Sequence, residues 1–313
     1  MYGKVGIWTF ALDRHPATAL QDAVAEIEEL GYGTLWFGEG FGRDAVSQAW
    51  LALGASRTMT VATGIASIAV REPRAMAAAE RALGEAHPGR FLLGLGGHRM
   101  TGPPVQLNGH TIASPGRAVP AMRGYLDAMD AMNLASPAPA EPPRRILAAL
   151  GPRMLALAGE RTMGAHPYFV PVEHTRRARA IMGPGAFLAV EQAVVLDTDL
   201  GRARDLATSH VAIDFHLAPH HAANLRRLGF DEADLAGPSR RLVDALVGYG
   251  DAGAIGERVA EHLEAGADHV CLQVLTADPT ELPLRQWREL APLTRSGGVR
   301  PAGGAPSAAG SSS

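Results

Sequence analysis

Residues 89–98 read "GRFLLGLGGH", an apolar strand that runs straight into glycines and a histidine. Leu92, Leu93 and Leu95 form its body, and Gly94, Gly96 and Gly97 strip side chains from its C-terminal end. A dinucleotide fingerprint would need Gly-x-Gly-x-x-Gly between a first strand and its helix, with an acid about 20 residues later. The run here is Gly94-Leu95-Gly96-Gly97-His98-Arg99, which lacks the third glycine and is not followed at once by a helix. The other reading is one strand end among several on a common rim, where bare main chain lets a flat ring lie close.

The flanking sequence favours the rim. Apolar runs at 3–10, 33–40, 59–70 and 90–96 alternate with helical stripes at 18–31, 44–57 and 72–86. In the first stripe Leu20, Val24, Ile27 and Leu30 share a face closed by Gly31; Asp44 is placed to cap the second, and Pro73 sits in the first turn of the third. The pattern then repeats with a helix at 116–132, strand 144–150, helix 152–162, strand 164–170, helix 173–182, strand 187–197, a long helical region at 199–265, strand 267–275 and a last helix at 282–293. Strands joined by helices pair in parallel, because antiparallel neighbours need no such crossovers. A doubly wound sheet and a closed barrel both satisfy this, and the count of eight favours an α/β fold of the (β/α)8 TIM-barrel type over residues 1–295, with insertions after the fourth and seventh strands. Residues 296–313 are low in complexity and are expected to be disordered.

The chain has 313 residues, 47% of them hydrophobic, and a net charge of −3. That balance offers no basis for a nucleic-acid partner. The N-terminal "MYGKVGIWTF" has no basic segment followed by a long apolar run, and no stretch suits a membrane span, so a cytoplasmic protein is expected. The single cysteine, Cys271, lies in the apolar run "HVCLQVL" and reads as a buried, inert thiol.

In a barrel the C-terminal strand ends carry the site. Strand one ends in Trp8, Thr9 and Phe10, which either face a substrate or belong to the core. Strand two ends in Gly38-Glu39-Gly40, a carboxylate between glycines. Strand three contains "TGIAS" (63–67), with a glycine where a bulge or close approach is common. Strand five leads through Leu150-Gly151-Pro152-Arg153 into a helix whose positive end suits a phosphate, though taken alone the same residues read first as an ordinary loop with proline at the first helical position.

"LGYGTLWFGEG" (30–40), "TGIASIAVREPRAMAAAERAL" (63–83), "GRFLLGLGGH" (89–98), "ILAALGPRMLALAGERTMGAHPYFVPVEHT" (146–175) and "FLAVEQAVVL" (187–196) together resemble the luciferase-like monooxygenase superfamily, and within it the branch of coenzyme F-420-dependent oxidoreductases. The resemblance spans about residues 2–294. It implies a deazaflavin lying across the strand ends, backed by a bulge that maps to Gly64, Ile65, Ala66 and Ser67, with Gly64–Ile65 as a non-prolyl cis peptide. It implies that the cofactor phosphate lies at Gly151, Pro152 and Arg153, with Ala165 and His166 nearby, and that Glu39, Gly96, Gly97 and His98 line the ring and substrate side. Sugar-phosphate dehydrogenases of the superfamily carry a histidine and a glutamate at positions that correspond here to Gly40 and roughly Arg99, so their alcohol-oxidising mechanism is not carried over.

A deazaflavin carries hydride, and the protein supplies placement and protons. Reduction of an activated C=C or C=N bond in a small organic substrate is the expected reaction. His98 is the first candidate proton donor, since an imidazole titrates near neutral pH, with Glu39 and His110 as others. Two of them have a structural alternative: a helix or loop cap for His98, and a backbone turn or an arginine pair for Glu39. Trp8, Phe10 and His110 are the candidate substrate contacts. "HLAPHH" places His216, His220 and His221 close together, but no acidic ligand has suitable spacing and no metal is expected. An FMN-dependent monooxygenase on the same barrel is the alternative, and a barrel without redox chemistry the second. The expected partners are a small molecule and a second copy of the chain, with neither nucleic acid nor membrane.

Overall fold

The computed structural model describes residues 2–40, 42–97, 105–107, 110–112, 118–217 and 219–295. His98 and the tail 296–313 lie outside the described residues, and of His110 only the backbone is described. Eight parallel strands form the frame: β1 (Val5–Trp8), β2 (Thr34–Phe37), β3 (Thr60–Thr63), β4 (Phe91–Gly96), β5 (Arg145–Leu147), β6 (Gly164–Ala165), β7 (Phe187–Leu196) and β8 (His269–Val274). They pair in sequence order, and the ring closes where Ile7 of β1 stands beside Leu272 of β8. The weakest seam is on the β5 side of β6, where Ala165 alone stands beside Leu147; on the β7 side Gly164 and Ala165 stand beside Phe187 and Leu188. Strands β1 to β4 are buried at every position, as expected where helices cover one face and the lumen fills the other.

Helices α1 (Ala17–Glu29), α2 (Ala45–Ala55), α3 (Pro73–Ala86), α4 (Ala118–Asp130), α5 (Pro152–Arg161), α6 (Val172–Met182), α7 (Ala252–Glu264) and α8 (Leu284–Leu290) surround the ring. The local signals explain their ends. Asp44 accepts the Ser47 amide at 2.7 Å and starts α2, Pro73 opens α3, and Gly31 follows α1 with φ of 91°. Leu20, Ala23, Val24 and Ile27 form the buried face of α1. The insertion after β4 contains the hairpin Val105–Leu107/His110–Ile112. The insertion after β7 contains helices Leu200–Leu217, Pro219–Arg227, Glu232–Ala236 and Arg240–Leu246, and a strand, Val247–Gly250, laid parallel on β7. It has its own apolar core, including Val211, Leu225, Phe230, Leu242 and Val247, packed against Phe169, Ala193 and Val195 at the rim.

Two expected strands are shorter than their apolar runs. The 59–70 segment breaks after Thr63 and resumes at Ala66–Ser67, which pairs with β4. The 164–170 segment stops at Ala165, ahead of Pro167, whose missing N–H would cost a ladder bond, and Phe169 adopts φ of 57°. The lumen is filled by Trp8, Trp36, Ala62, Leu92, Ile146, Ala189 and Cys271. Cys271 is fully buried, its Sγ pointing to the Val190 carbonyl at 3.4 Å, and burial pushes its thiol well above the usual range.

Candidate functional site

Because the strands are parallel, their C-terminal ends share one rim, and the sequence-predicted segments meet there. Ala66 and Ser67 stand beside Leu95 and Gly96, and the Ile68 amide donates to the Gly96 carbonyl at 2.9 Å. Leu95 in turn stands beside Leu147, and the Ala148 amide donates to the Leu95 carbonyl at 2.9 Å before the chain enters Gly151 and α5. The Gly64–Ile65 peptide is cis.

The glycines work differently from the sequence expectation. A Cβ on Gly64 would lie 2.6 Å from Trp8 Nε1 and 2.8 Å from His166 Nε2. One on Gly96 would lie 2.6 Å from Ile65 Cγ1, and one on Gly38 2.8 Å from the Phe10 ring. The space they leave is therefore taken by the protein's own side chains, which close into a floor. Trp8 is buried, donates to the Gly64 carbonyl at 3.2 Å and meets Phe10 edge-on at 4.6 Å. Phe10 remains 42% exposed and Ile65 half-buried, so the apolar surface offered at the rim belongs to these two, with half-buried Gly97 beside them.

Beneath the floor, His166 stacks on Trp36 at 4.5 Å and donates from Nδ1 to the Ala189 carbonyl at 2.9 Å. Burial lowers its pKa to about 4, so it is neutral at pH 7. Its buried Nε2 has no partner among the described residues.

Glu39 is a tie between elements. It accepts the Ser67 amide at 2.8 Å from the bulge, the Ala45 amide at 3.1 Å from the start of α2, and a fork of hydrogen bonds from Arg71, which also bonds Asp44. All of these neighbours are donors. The arginine pairing raised as the alternative in the sequence is thus present, and the geometry makes Glu39 a positioning residue for the bulge. Arg71 also borders a cavity of about 320 Å³ lined by residues 68–73 and Tyr125. Glu39→Gln replaces one acceptor by a donor aimed at this largely buried cation. It is expected to destabilise the fold by about 3 kcal/mol, seen as a lower urea midpoint at unchanged slope; an unchanged midpoint would contradict the tie.

At the α5 corner the helix starts from Gly151 without a side-chain cap, with Pro152 at its first position. The Arg227 Nη2 atom, from the insertion, comes within 3.9 Å of where a Gly151 Cβ would stand. Arg227 donates to Asn224 Oδ1 at 3.2 Å, and its carbonyl accepts from Arg177 at 2.8 Å. His174 of α6 donates from Nε2 to the Leu150 carbonyl at 3.1 Å, and burial lowers its pKa to about 4. Ala165 and His166 hold the next strand end, β6.

Three residues were passed over as site candidates in the sequence. Arg227 and Asn224 lie in an insertion with no recognisable pattern. Glu191 carried a signal: it is a carboxylate inside the apolar run "FLAVEQAVVL". It is buried beside Cys271 in register and accepts the Phe169 amide at 3.0 Å, which the left-handed backbone of Phe169 accompanies.

Residues 5–269 match the family model described as luciferase-like monooxygenase. The chain belongs to the luciferase-like monooxygenase family. No curated protein sequence matches it. Among solved structures, it is similar to an F420-dependent secondary alcohol dehydrogenase in complex with an F420-acetone adduct, at a TM-score of 0.72 and 15% identity over 94% of this chain and 100% of that one. It is also similar to the coenzyme F420-dependent tetrahydromethanopterin reductase from Methanopyrus kandleri, at a TM-score of 0.66 and 17% identity over 93% and 97% of the two chains. A third likeness is to the oxygenating constituent of 3,6-diketocamphane monooxygenase from Pseudomonas putida in complex with FMN, at a TM-score of 0.64 and 16% identity over 94% and 97%. At these identities the likeness establishes the shared barrel, and the luciferase-like neighbours include both deazaflavin and flavin enzymes. Among the described residues no helix is long and apolar enough to cross a membrane.

Proposed function

We propose that this luciferase-like protein is a coenzyme F420-dependent oxidoreductase that reduces an activated C=C or C=N bond of a small organic substrate. The observation carrying this reading is the meeting, on one rim, of the Gly64–Ser67 bulge, the Phe10–Ile65 floor and the uncapped start of α5 with its arginines. The floor suits a planar ring and the α5 corner suits a phosphate, so the residues present fit a phosphate-bearing heterocycle. When bound, a deazaflavin supplies hydride transfer.

The chain's own part is placement and proton supply. Ile65 and Gly97 would back the ring, Gly151, Pro152 and Arg153 would hold the phosphate, and Trp8 would fix the floor through its bond to the Gly64 carbonyl. Glu39 would keep the bulge in place through the Ser67 amide. A proton must reach the reduced substrate, and we assign that role to His98 or His110, with Phe10 facing the substrate. The excess of arginine at the α5 corner supports an acidic-tailed deazaflavin over FMN: Arg153 and Arg227 have no ion-pair partner among the described residues. FMN is the second reading, since the same corner would take its phosphate.

Anaerobic titration with oxidised and reduced F420 and with FMN, followed by visible absorption, tests this. Binding of F420 at least tenfold tighter than FMN is expected. Tighter FMN binding would move the protein to the monooxygenase reading, and binding of neither would end both.

A further inference from the structure

Gln273 is a carboxamide set into the apolar run 270–275 near the end of β8. Its Oε1 atom is buried and has no hydrogen-bond partner among the described residues. Side chains alternate along a strand. Leu272 packs into the outer core and Cys271 into the lumen, so Gln273 faces the lumen one layer above Cys271. Its register neighbours agree: Trp8 of β1, a lumen residue, stands on one side and the small Ala193 of β7 on the other. Strand β8 is buried through Leu272 and becomes half-buried at Gln273 and Val274. The carboxamide therefore stands where the lumen opens into the rim.

The walls around it are aromatic. Trp8 meets Phe10 edge-on and Tyr168 at 5.1 Å, and Phe10 and Tyr168 keep part of their rings at the surface. The Trp8 indole N–H is committed to the Gly64 carbonyl and so does not serve Gln273. In a ring of eight strands paired in sequence order, β8 stands opposite β4. Gln273 thus lies across the mouth from Gly97, on the side that the proposed ring would leave to a substrate. A buried acceptor left unmet is costly, and a carboxamide carries a donor beside its acceptor. The terminal torsion of a glutamine is soft, so the group can turn to present both atoms to the mouth. What meets both in one plane is the cis amide of a lactam or imide, whose N–H donates to Oε1 while its C=O accepts from Nε2.

We propose that Gln273 recognises the substrate, and that the substrate is a flat, conjugated lactam or imide whose edge meets the carboxamide and whose face meets Phe10 and Tyr168. The proposal rests on the cofactor reading above for the side of the mouth the substrate takes; the amide recognition is independent of it. The bond from Nε2 would draw electron density from the lactam carbonyl, and so from a C=C conjugated with it, which is the kind of bond the proposed reaction reduces. A lactone of the same shape lacks the N–H and leaves Oε1 unmet, so the site discriminates against it. A deazaflavin carries an imide edge of its own, and the test separates that source from a substrate.

The probes are 2-quinolinone, a bicyclic lactam, and coumarin, the same bicycle with the ring N–H replaced by oxygen. Their binding to the full-length protein and to Q273M is measured by equilibrium dialysis, with and without F420. Wild type is expected to hold 2-quinolinone about tenfold or more tighter than coumarin. Q273M should bring the lactam to the level of coumarin, leave coumarin unchanged, and melt with wild type, since methionine keeps the length of the side chain. A lactam preference that survives in Q273M, no preference in wild type, or no binding of either probe with or without F420 would overturn the proposal. Titration of Q273M with F420 and FMN forms the second arm. Unchanged affinities are expected; a loss as large as that for the lactam would mean that the carboxamide reads the cofactor's own imide edge, and the substrate assignment falls. If neither F420 nor FMN binds wild type, yet the lactam preference is present there and lost in Q273M, the recognition stands and the cofactor reading falls.

Discussion

Acidification from about pH 7 to pH 4 is expected to unfold the protein, because four histidines are folded into places where they cannot carry a proton. His166, His174, His262 and His269 are all essentially buried, and burial lowers their pKa values to about 4, 4, 3 and 4. Their hydrogen bonds define neutral tautomers. His269 donates from Nδ1 to the Gly3 carbonyl and accepts the Trp36 indole N–H at Nε2, 3.1 Å away, so a second proton would remove that bond. His262 lies between Gln192 Oε1 at 2.7 Å and Thr175 at 2.8 Å; the Gln192 amide nitrogen is spent on two carbonyls, so Nε2 of His262 donates and Nδ1 accepts. An unfolded histidine takes up its proton near pH 6.5, and these take theirs only near pH 4 or below. In that window the unfolded state binds more protons, so stability is full above about pH 6.5 and is lost as the pH falls toward the folded values. Each histidine withholds up to about 3 kcal/mol, and four together rival the entire stability of an ordinary domain, roughly 5–15 kcal/mol. Burial pushes the Glu80 carboxyl up from 4.5 despite its pairing with Arg145, so this group binds its proton more readily in the fold and opposes the histidines inside the same window. The urea midpoint, followed by tryptophan fluorescence, should fall steadily between about pH 6.5 and 5, with native signal lost before pH 4. A midpoint flat across that range would show that these imidazoles are reached by water or carry charge in the fold.

The frame was legible because it is written in short-range signals. Apolar runs of four to six buried residues, a capping aspartate at 44, a first-turn proline at 73 and a closing glycine at 31 each act within one turn of chain, and each is found in place. The family resemblance supplied the cis peptide at Gly64–Ile65, which no local signal encodes. What escaped was set by partners far apart in sequence. Glu39 is placed by Ser67 and Arg71, residues 28 and 32 positions away, and nothing beside it in the chain distinguishes a tie from a proton donor. Arg227 acquires meaning only once its helix lies over Gly151. Gly96 looked like room for a ligand, but the occupant is Ile65, three decades earlier in the chain. A glycine in a sequence states that something comes near the backbone and leaves open what.

Gly94→Ala is expected to destabilise the barrel by about 3–5 kcal/mol, the largest effect of any single methyl group added to this chain's strands β1 to β4. Gly94 sits in the middle of β4, and a Cβ there would overlap the Thr63 carbonyl oxygen, which is main chain and has no rotamer to yield. The two residues are also locked reciprocally: the Gly94 amide donates to Thr63 Oγ1 at 2.8 Å, and that hydroxyl donates to the Gly94 carbonyl at 2.8 Å. Accommodating one methyl therefore means parting β3 from β4 and breaking both bonds next to the Gly64–Ser67 bulge. The same change at Gly54, on the exposed side of α2 with nothing within 4 Å of its Cβ position, should stabilise by about 0.5–1 kcal/mol, because alanine restricts the unfolded chain and favours helix. Thermal melts of the two variants should move in opposite directions, Gly94→Ala downward by roughly 10 °C. If Gly94→Ala melts with wild type, β3 and β4 do not approach as described and the floor built on them is misplaced. If it melts low but remains folded at 15–20 °C, it becomes a probe of function: with Thr63 displaced the bulge moves, and the chromophore should be lost while phosphate binding at the α5 corner, anchored on β5 and the insertion, persists.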